Sequence, residues 1–339
     1  MGVSIQKIAE LCGVSIMTVS RVFNPACAGM VKEETRRRIL ETAARHNYHP
    51  VMIGKSFVSG KTYRIGLILD RMSVDLSSPT FSNFMEAACE ELQGHGYTMT
   101  LLLAKNVQGR HGENIRELLL SKVADGYIFS STMIFETMRD ALRKTPVVLL
   151  ASEAECASTE GLVEIRRDYR AAFREIWSMI PSRLRRKVVA LSSPSQEMHP
   201  RRQAFLSSAP PASKVREFTL YRSSSFLTDW AVARRFAEEN FRELSDGRVF
   251  WCQNDLSALG VMEVFRARGL EPGKDVRFIG FDNVEPQMPF QPAVLTTIDQ
   301  RWAEVGRKAA SAILRKIDGK PVGENDLVVE STVVKRSSL

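Results

Sequence analysis

The stretch CGVSIMTVSRVFN, residues 12–24, decides how the first part of this chain folds. A helix that begins after Ser15 advances about 100° per residue, so Val19, Val22 and Phe23 share one apolar face. Met17, Arg21 and Asn24 then point the other way. Met17 is thus an apolar side chain on the polar side. A lone exposed methionine is ordinary on a soluble protein, and this one gains meaning from its surroundings.

Upstream, Ser4 suits the N-cap of a helix from Ile5 through Leu11, with Ile5, Ile8 and either Leu11 or Cys12 at helical spacing and Gly13 as its stop. Ser15 caps the second helix after a very tight turn. Downstream, a third helix from about Lys32 to His46 uses Ile39, Leu40 and Ala43 as its inner stripe. Three short helices, the first two joined by a Gly-containing turn, form the helix-turn-helix arrangement, whose second helix enters a DNA major groove. Charge supports the same reading. Residues 1–61 hold nine basic against four acidic residues, so most of the chain's net charge of +8 is concentrated in this segment.

The remaining composition is that of a soluble globular protein, 44% hydrophobic and 25% charged over 339 residues. No stretch approaches the roughly 20 apolar residues of a membrane span, and the start lacks a signal-peptide pattern, which predicts a cytoplasmic protein. The five cysteines (Cys12, Cys27, Cys89, Cys156, Cys252) are scattered and show no C-x-x-C spacing. Reduced thiols are expected, without a disulfide framework or a metal site. The five histidines show no ligand spacing, and Walker, G-x-G-x-x-G, G-x-S-x-G and H-E-x-x-H motifs are missing. No cofactor is expected.

PVMIGKSFVSGKT, residues 50–62, reads as a linker, too short and Gly-rich for a helix stable by itself. Beyond it, apolar strand candidates (YRIGLILD, YTMTLLLA, DGYIFSS, TPVVLLAS, KVVALSS, REFTLY, RVFWCQ, DVRFIGFD) alternate with helical segments near 81–96, 113–122, 168–179, 229–244 and 255–268. Strands apolar on both faces, alternating with helices, predict two parallel sheets covered by helices.

IQKIAELCGVSIMTVSRVFN with VKEETRRRILETAARHNYHP resembles the headpiece of lactose-repressor (LacI/GalR) family transcription factors. DGYIF, CQNDLSALGVMEVFRARGLEPGKDVRFIGFDNVE and LTTIDQRWAEVGRKAASAILRKIDG resemble that family's effector-binding core, in order along nearly the whole chain. The resemblance implies a helix-turn-helix headpiece over 1–49, a hinge over 50–62 and a two-lobed periplasmic-binding-protein-like core over 63–339. The first lobe would comprise 63–161 and 293–320, the second 162–292 and 321–339, with crossings near 162, 292 and 321. It further implies a regulator, a repressor by class, acting as a homodimer on palindromic double-stranded operator DNA. A small effector, a carbohydrate or a derivative of one, would bind between the lobes. The rival readings are an α/β enzyme and a sugar-binding receptor with an accessory DNA-binding segment.

On this resemblance Ile16 and Met17 occupy the base-reading positions, where apolar ends suit thymine methyl groups; Ile16 also lies near the core face and suits packing. Arg21 reaches a guanine or a phosphate, and Ser15, Thr18, Ser20 and Asn24 suit phosphate oxygens. In the hinge, Lys55 is expected at the DNA backbone. Phe57 stands at the usual leucine position, either as a minor-groove wedge or packed between paired hinges. Effector contacts are expected from Phe81, Glu153, Arg201, Asn254, Asp282 and Gln300, although Asn254 and Asp282 equally suit capping a helix or ordering a loop. Ala151 stands where sugar-binding members of that family often carry an acid, for which Glu153 is near enough in sequence to substitute, and Arg167-Asp168 departs from the family's usual Asp-Asn pair.

Overall fold

A computed structural model of the protein describes residues 3–23, 27, 29–49, 59–70, 76–107, 110–130, 132–142, 145–152, 162–193, 199–220, 226–287, 292–324 and 327–339. The chain divides into two units, Met1–Thr62 and Tyr63–Leu339.

The first unit contains α1 (Ile5–Cys12), α2 (Ile16–Val22) and α3 (Glu33–Arg45). The Ser4 side chain accepts the Lys7 amide at the start of α1, and Gly13 ends it at φ 59°, a left-handed conformation that costs glycine little. Ile8, Ala9, Cys12, Val19, Val22, Ile39, Ala43 and Tyr48 form one small core. Phe23 meets Tyr48 edge-on with ring centroids 5.6 Å apart. Of the two alternatives at the end of α1, Cys12 takes the core place and Leu11 is 48% exposed; the expected inner position Leu40 turns outward at 37% exposed, while Thr42 is buried beside Ala43. Leu11 and Leu40 lie at the margin of the apolar arc, where a shift of one residue exchanges inside for outside.

In the second unit, β1 (Arg64–Asp70), β2 (Thr98–Ala104), β3 (Gly126–Phe129), β4 (Val147–Ser152) and β5 (Val163–Asp168) lie in one sheet. β6 (Val188–Ser192), β7 (Val215–Thr219), β8 (Val249–Cys252) and β9 (Arg277–Ile279) form another. The chain continues through β10 (Thr297–Asp299), β11 (Val328–Glu330) and β12 (Thr332–Val334). The first sheet has the order β11-β5-β4-β3-β1-β2 and the second β9-β8-β6-β7. Every pairing within these two sheets is parallel.

Helices α4 (Pro79–Gly94), α5 (Glu113–Leu120) and α6 (Thr132–Met138) connect strands of the first sheet. Helices α7 (Arg170–Met179), α8 (His199–Ser207), α9 (Phe226–Glu239), α10 (Phe241–Leu244) and α11 (Asp255–Ala267) accompany the second. α12 (Trp302–Ile317) returns to the first and packs along α4. The inner strands of both sheets are buried on both faces, as the continuous apolar runs require: β3, β6 and β8 are buried throughout, whereas the edge strands β2 and β7 are partly exposed. The second lobe adds a chain of aromatic contacts, with Phe205 stacked on Trp251 at 4.6 Å and on Trp177 at 5.0 Å.

The lobe crossings lie later than 162, 292 and 321. Strand 163–168 pairs with β4 in the first sheet, so the first crossing follows Asp168. β10 pairs with β12, and α12 then joins the first-lobe core, so the second crossing falls around 300. β11 belongs to the first sheet and β12 to the β10 pair, which puts the third at about 331. The charged end of β5, Arg166-Arg167-Asp168, conceals its strand character in the sequence. The expected helix 229–244 is broken at Asn240 into α9 and α10.

Candidate functional site

The candidate nucleic-acid surface is built on α2. Ser15 Oγ accepts the Thr18 amide at 3.1 Å and lies 2.9 Å from Thr18 Oγ1, so one oxygen both caps the helix and fixes its neighbour. With Val19 and Val22 buried, Ile16 (46% exposed) and Met17 (63%) stand outward, and Arg21 is exposed as well. Thr18 and Ser20 are half-buried beside them. Ile16 is therefore more open than its place near the core face suggests. Asn24, Lys55 and Phe57 lie outside the described residues.

In the core unit, Arg201 on α8 sits at the centre of a polar chain. Its Nη1 donates to the Gln253 carbonyl at 3.2 Å and lies 3.5 Å from Asp282 Oδ2, and its guanidinium stands 4.3 Å from the centre of the Phe281 ring. The other oxygen of Asp282 accepts from Gln300 Nε2, and Gln300 Oε1 accepts from Arg167 Nη1 at 3.1 Å. Arg167 in turn lies 4.5 Å from the centre of the Trp302 ring. Both arginines are stacked on aromatic faces, which holds each planar fork in a fixed plane. The chain runs from β5 of the first sheet, through the crossing segment at 300, to α8 of the second lobe. A ligand bound there meets guanidinium donors, a carboxylate acceptor and a two-way amide, a set that suits hydroxyl-rich or planar polar molecules.

The backbone that presents Asp282 is unusual. Asp282 (φ 102°) and Asn283 (φ 54°) both occupy left-handed conformations, costly for residues with a Cβ. The Asp282 amide donates to the Ile298 carbonyl at 2.8 Å, and Asn283 Nδ2 donates to Asp299 Oδ2 at 2.9 Å. Arg336 Nη2 donates to Asn283 Oδ1 at 2.7 Å. Beneath the loop, the fully buried Asp255 accepts the Val284 amide at 2.7 Å and the Thr297 hydroxyl at 2.5 Å. A Cβ on Gly280 would come within 2.1 Å of Asp255 Oδ1, so only glycine admits the carboxylate here. Burial pushes the Asp255 carboxyl up to about 7, with the Asp282 and Glu285 charges adding to the rise and the Thr297 and Val284 hydrogen bonds opposing it.

The other expected effector residues are placed differently. Asn254 is buried and accepts the Ser257 amide at 2.8 Å as the cap of α11, while its Nδ2 donates to Asp229 at 2.8 Å, so the capping role suggested by its position is realised. Phe81 is half-buried on α4 and packs against the first-lobe core. Glu153 lies outside the described residues. Arg167, Trp302 and Phe281 were not among the expected contacts. For Arg167 the signal was present, as a cation where the family usually carries an acid. Among the described residues no group of His, Cys, Asp and Glu is placed to hold a metal ion, and no helix is long and apolar enough to cross a membrane. The described cysteines Cys12, Cys27, Cys89 and Cys252 are free thiols.

Fold and site together define a helix-turn-helix unit joined to a two-lobed α/β core with a polar site between its lobes. Residues 4–51 match the lacI family of bacterial regulatory proteins, and residues 180–339 match a periplasmic binding protein-like domain. Catabolite control protein A of Priestia megaterium is 28% identical over 338 residues, covering 97% of this chain and 96% of that protein. The ribose operon repressor of Bacillus subtilis is 26% identical over 340 residues, covering 99% and 98%. The crystal structure of the lac repressor dimer bound to operator and the anti-inducer ONPF superimposes with a TM-score of 0.78 at 20% identity, covering 100% of this chain and 99% of that one. A transcriptional regulator CelR–cellobiose complex gives 0.60 at 18% identity, covering 99% and 100%. The match to the lacI family of bacterial regulatory proteins lies in residues 4–51, and the similarity to the relatives named above runs along nearly the whole chain.

Proposed function

We propose that this protein is a sequence-specific transcriptional repressor whose operator affinity is set by a small molecule bound between the core lobes. The observation that carries this reading is α2: a helix anchored by Val19 and Val22 that turns Ile16, Met17 and Arg21 to solvent within the segment 4–51 that matches the lacI family. Ile16 and Met17 contact thymine methyl groups, Arg21 reaches a guanine or a phosphate, and Ser15, Thr18, Ser20 and Asn24 contact the backbone. Lys55 neutralises a phosphate and Phe57 wedges into the minor groove. A single headpiece offers few base contacts, so two copies of the chain act on a palindromic site in the cytoplasm.

The effector is a sugar or a sugar derivative, held by Arg201, Asp282 and Gln300. Phe81 and Glu153 complete the set, with Asn254 supporting it as the cap of α11. The donor and acceptor pattern of the first three residues supports this, as does the cellobiose complex named for a relative of the same fold. The protein performs no chemistry on the ligand.

Selection of duplexes from a random pool by the full-length protein tests the reading. A two-fold symmetric sequence should be enriched, and Met17→Ala should weaken the enriched duplex by about 1 kcal/mol, roughly fivefold, while leaving random duplex unchanged. Failure to enrich any sequence refutes the function; equal loss on both duplexes removes Met17 from base readout.

A further inference from the structure

Arg36, Arg37 and Arg38 are consecutive on α3 and contribute a third of the basic residues in the first 61 positions, yet they are not equivalent. Arg37 is exposed and lies 3.8 Å from Glu41, an ordinary solvated pair. Arg38 is exposed as well. Arg36 turns inward. It is half-buried, and its Nη1 donates to the Val22 carbonyl at 3.0 Å.

Val22 is the last residue of α2, and the carbonyls of a final helical turn find no partner within their own helix. The acceptor therefore stands where a cation also meets the negative end of the helix dipole. At seven residues α2 is too short to hold its conformation in isolation. Its start is tied by Ser15 and its buried side by Val19 and Val22. Arg36 ties its end, and does so from α3, a different helix.

We propose that Arg36 is a positioning residue for DNA readout: by holding the carboxyl end of α2 against α3 it sets the rotation at which Ile16, Met17 and Arg21 meet the bases, without touching a phosphate itself. This rests on the DNA-binding reading above. It divides the arginine run between two tasks, with Arg37 and Arg38 left to the electrostatic field and Arg36 to geometry. A lysine keeps the charge but replaces a planar fork with one flexible ammonium, so it does not reproduce the arrangement.

The test uses the full-length parent, Arg36→Gln and Arg36→Lys, with a duplex enriched by the parent and a random duplex, titrated by fluorescence anisotropy over a range of salt concentrations. Arg36→Gln should weaken the enriched duplex about tenfold, as loss of a hydrogen bond from a charged group implies. Its binding to random duplex should stay within about twofold, and the salt slope should be unchanged, because no phosphate contact is lost. Arg36→Lys should also lower the ratio of enriched to random affinity, by about threefold or more.

The proposal is overturned if Arg36→Gln weakens both duplexes equally and flattens the salt slope by about 0.9, with Arg36→Lys restoring the parent. An unchanged ratio in Arg36→Gln overturns it too. Should Arg36→Gln lose the helical circular dichroism of the parent, Arg36→Lys decides alone: a lowered ratio supports positioning and a parental one refutes it. A parent that enriches no duplex brings down the DNA-binding reading itself, and this proposal with it.

Discussion

Asp255 shows what a single residue contributes to the effector site without facing it. Its carboxylate braces the loop that presents Asp282, through the Val284 amide and the Thr297 hydroxyl. Burial raises its folded pKa to about 7 from an ordinary 3.8, so the folded protein holds a proton that the unfolded chain releases between those values. Stability therefore falls as pH rises from about 4 to about 7 and is flat above, by up to about 4 kcal/mol for this group. Asp255→Asn keeps the shape and removes the titration. Thermal midpoints at pH 5 and 7.5 should fall more in the parent than in the variant; equal falls would mean the carboxyl titrates normally. In the sequence, Asn254 follows an apolar strand, a position that fits ligand binding and capping alike. The hydrogen bonds from Ser257 and to Asp229 commit Asn254 to capping, and no local pattern reveals that Asp255 would be wholly enclosed.

Elements were legible in proportion to their length and regularity. The first two headpiece helices carry serine caps, helical spacing and, between them, a left-handed glycine, and their bounds follow from those signals. The long apolar strands of both sheets are equally plain. β10, β11 and β12 are three residues each, too short to show an alternation, and they set the lobe crossings. β5 is obscured because its last residues are charged: Arg167 serves Gln300 and Trp302, and Asp168 pairs with Arg170. The loop after β9 joins Asp282 to Arg201 and Gln300, which are distant in sequence. Arg201→Ala and Asp282→Asn should each abolish the thermal stabilisation given by a ligand found in a screen of sugars and sugar phosphates, worth about 2.7 kcal/mol at a hundredfold excess over Kd, while leaving binding to the enriched duplex intact. Retained stabilisation in both variants would place the ligand elsewhere.

In the whole molecule, two units are joined through one coupling free energy. The surface proposed to read DNA lies on the first unit and the Arg201–Asp282–Gln300 cluster on the second, so regulation requires that ligand binding and operator binding change one another. Couplings of this kind are typically about 1–3 kcal/mol, enough to alter operator affinity from about fivefold to beyond a hundredfold. The linker over 50–62 joins the two units and is the segment through which we expect that coupling to pass. The most direct test is titration of the enriched duplex by the full-length protein, with and without saturating ligand. A regulator coupled in this way gives tight, salt-sensitive binding whose midpoint moves at least fivefold on ligand addition, a shift lost in Arg201→Ala. A ligand that stabilises the core yet leaves the duplex midpoint unmoved would contradict this coupling.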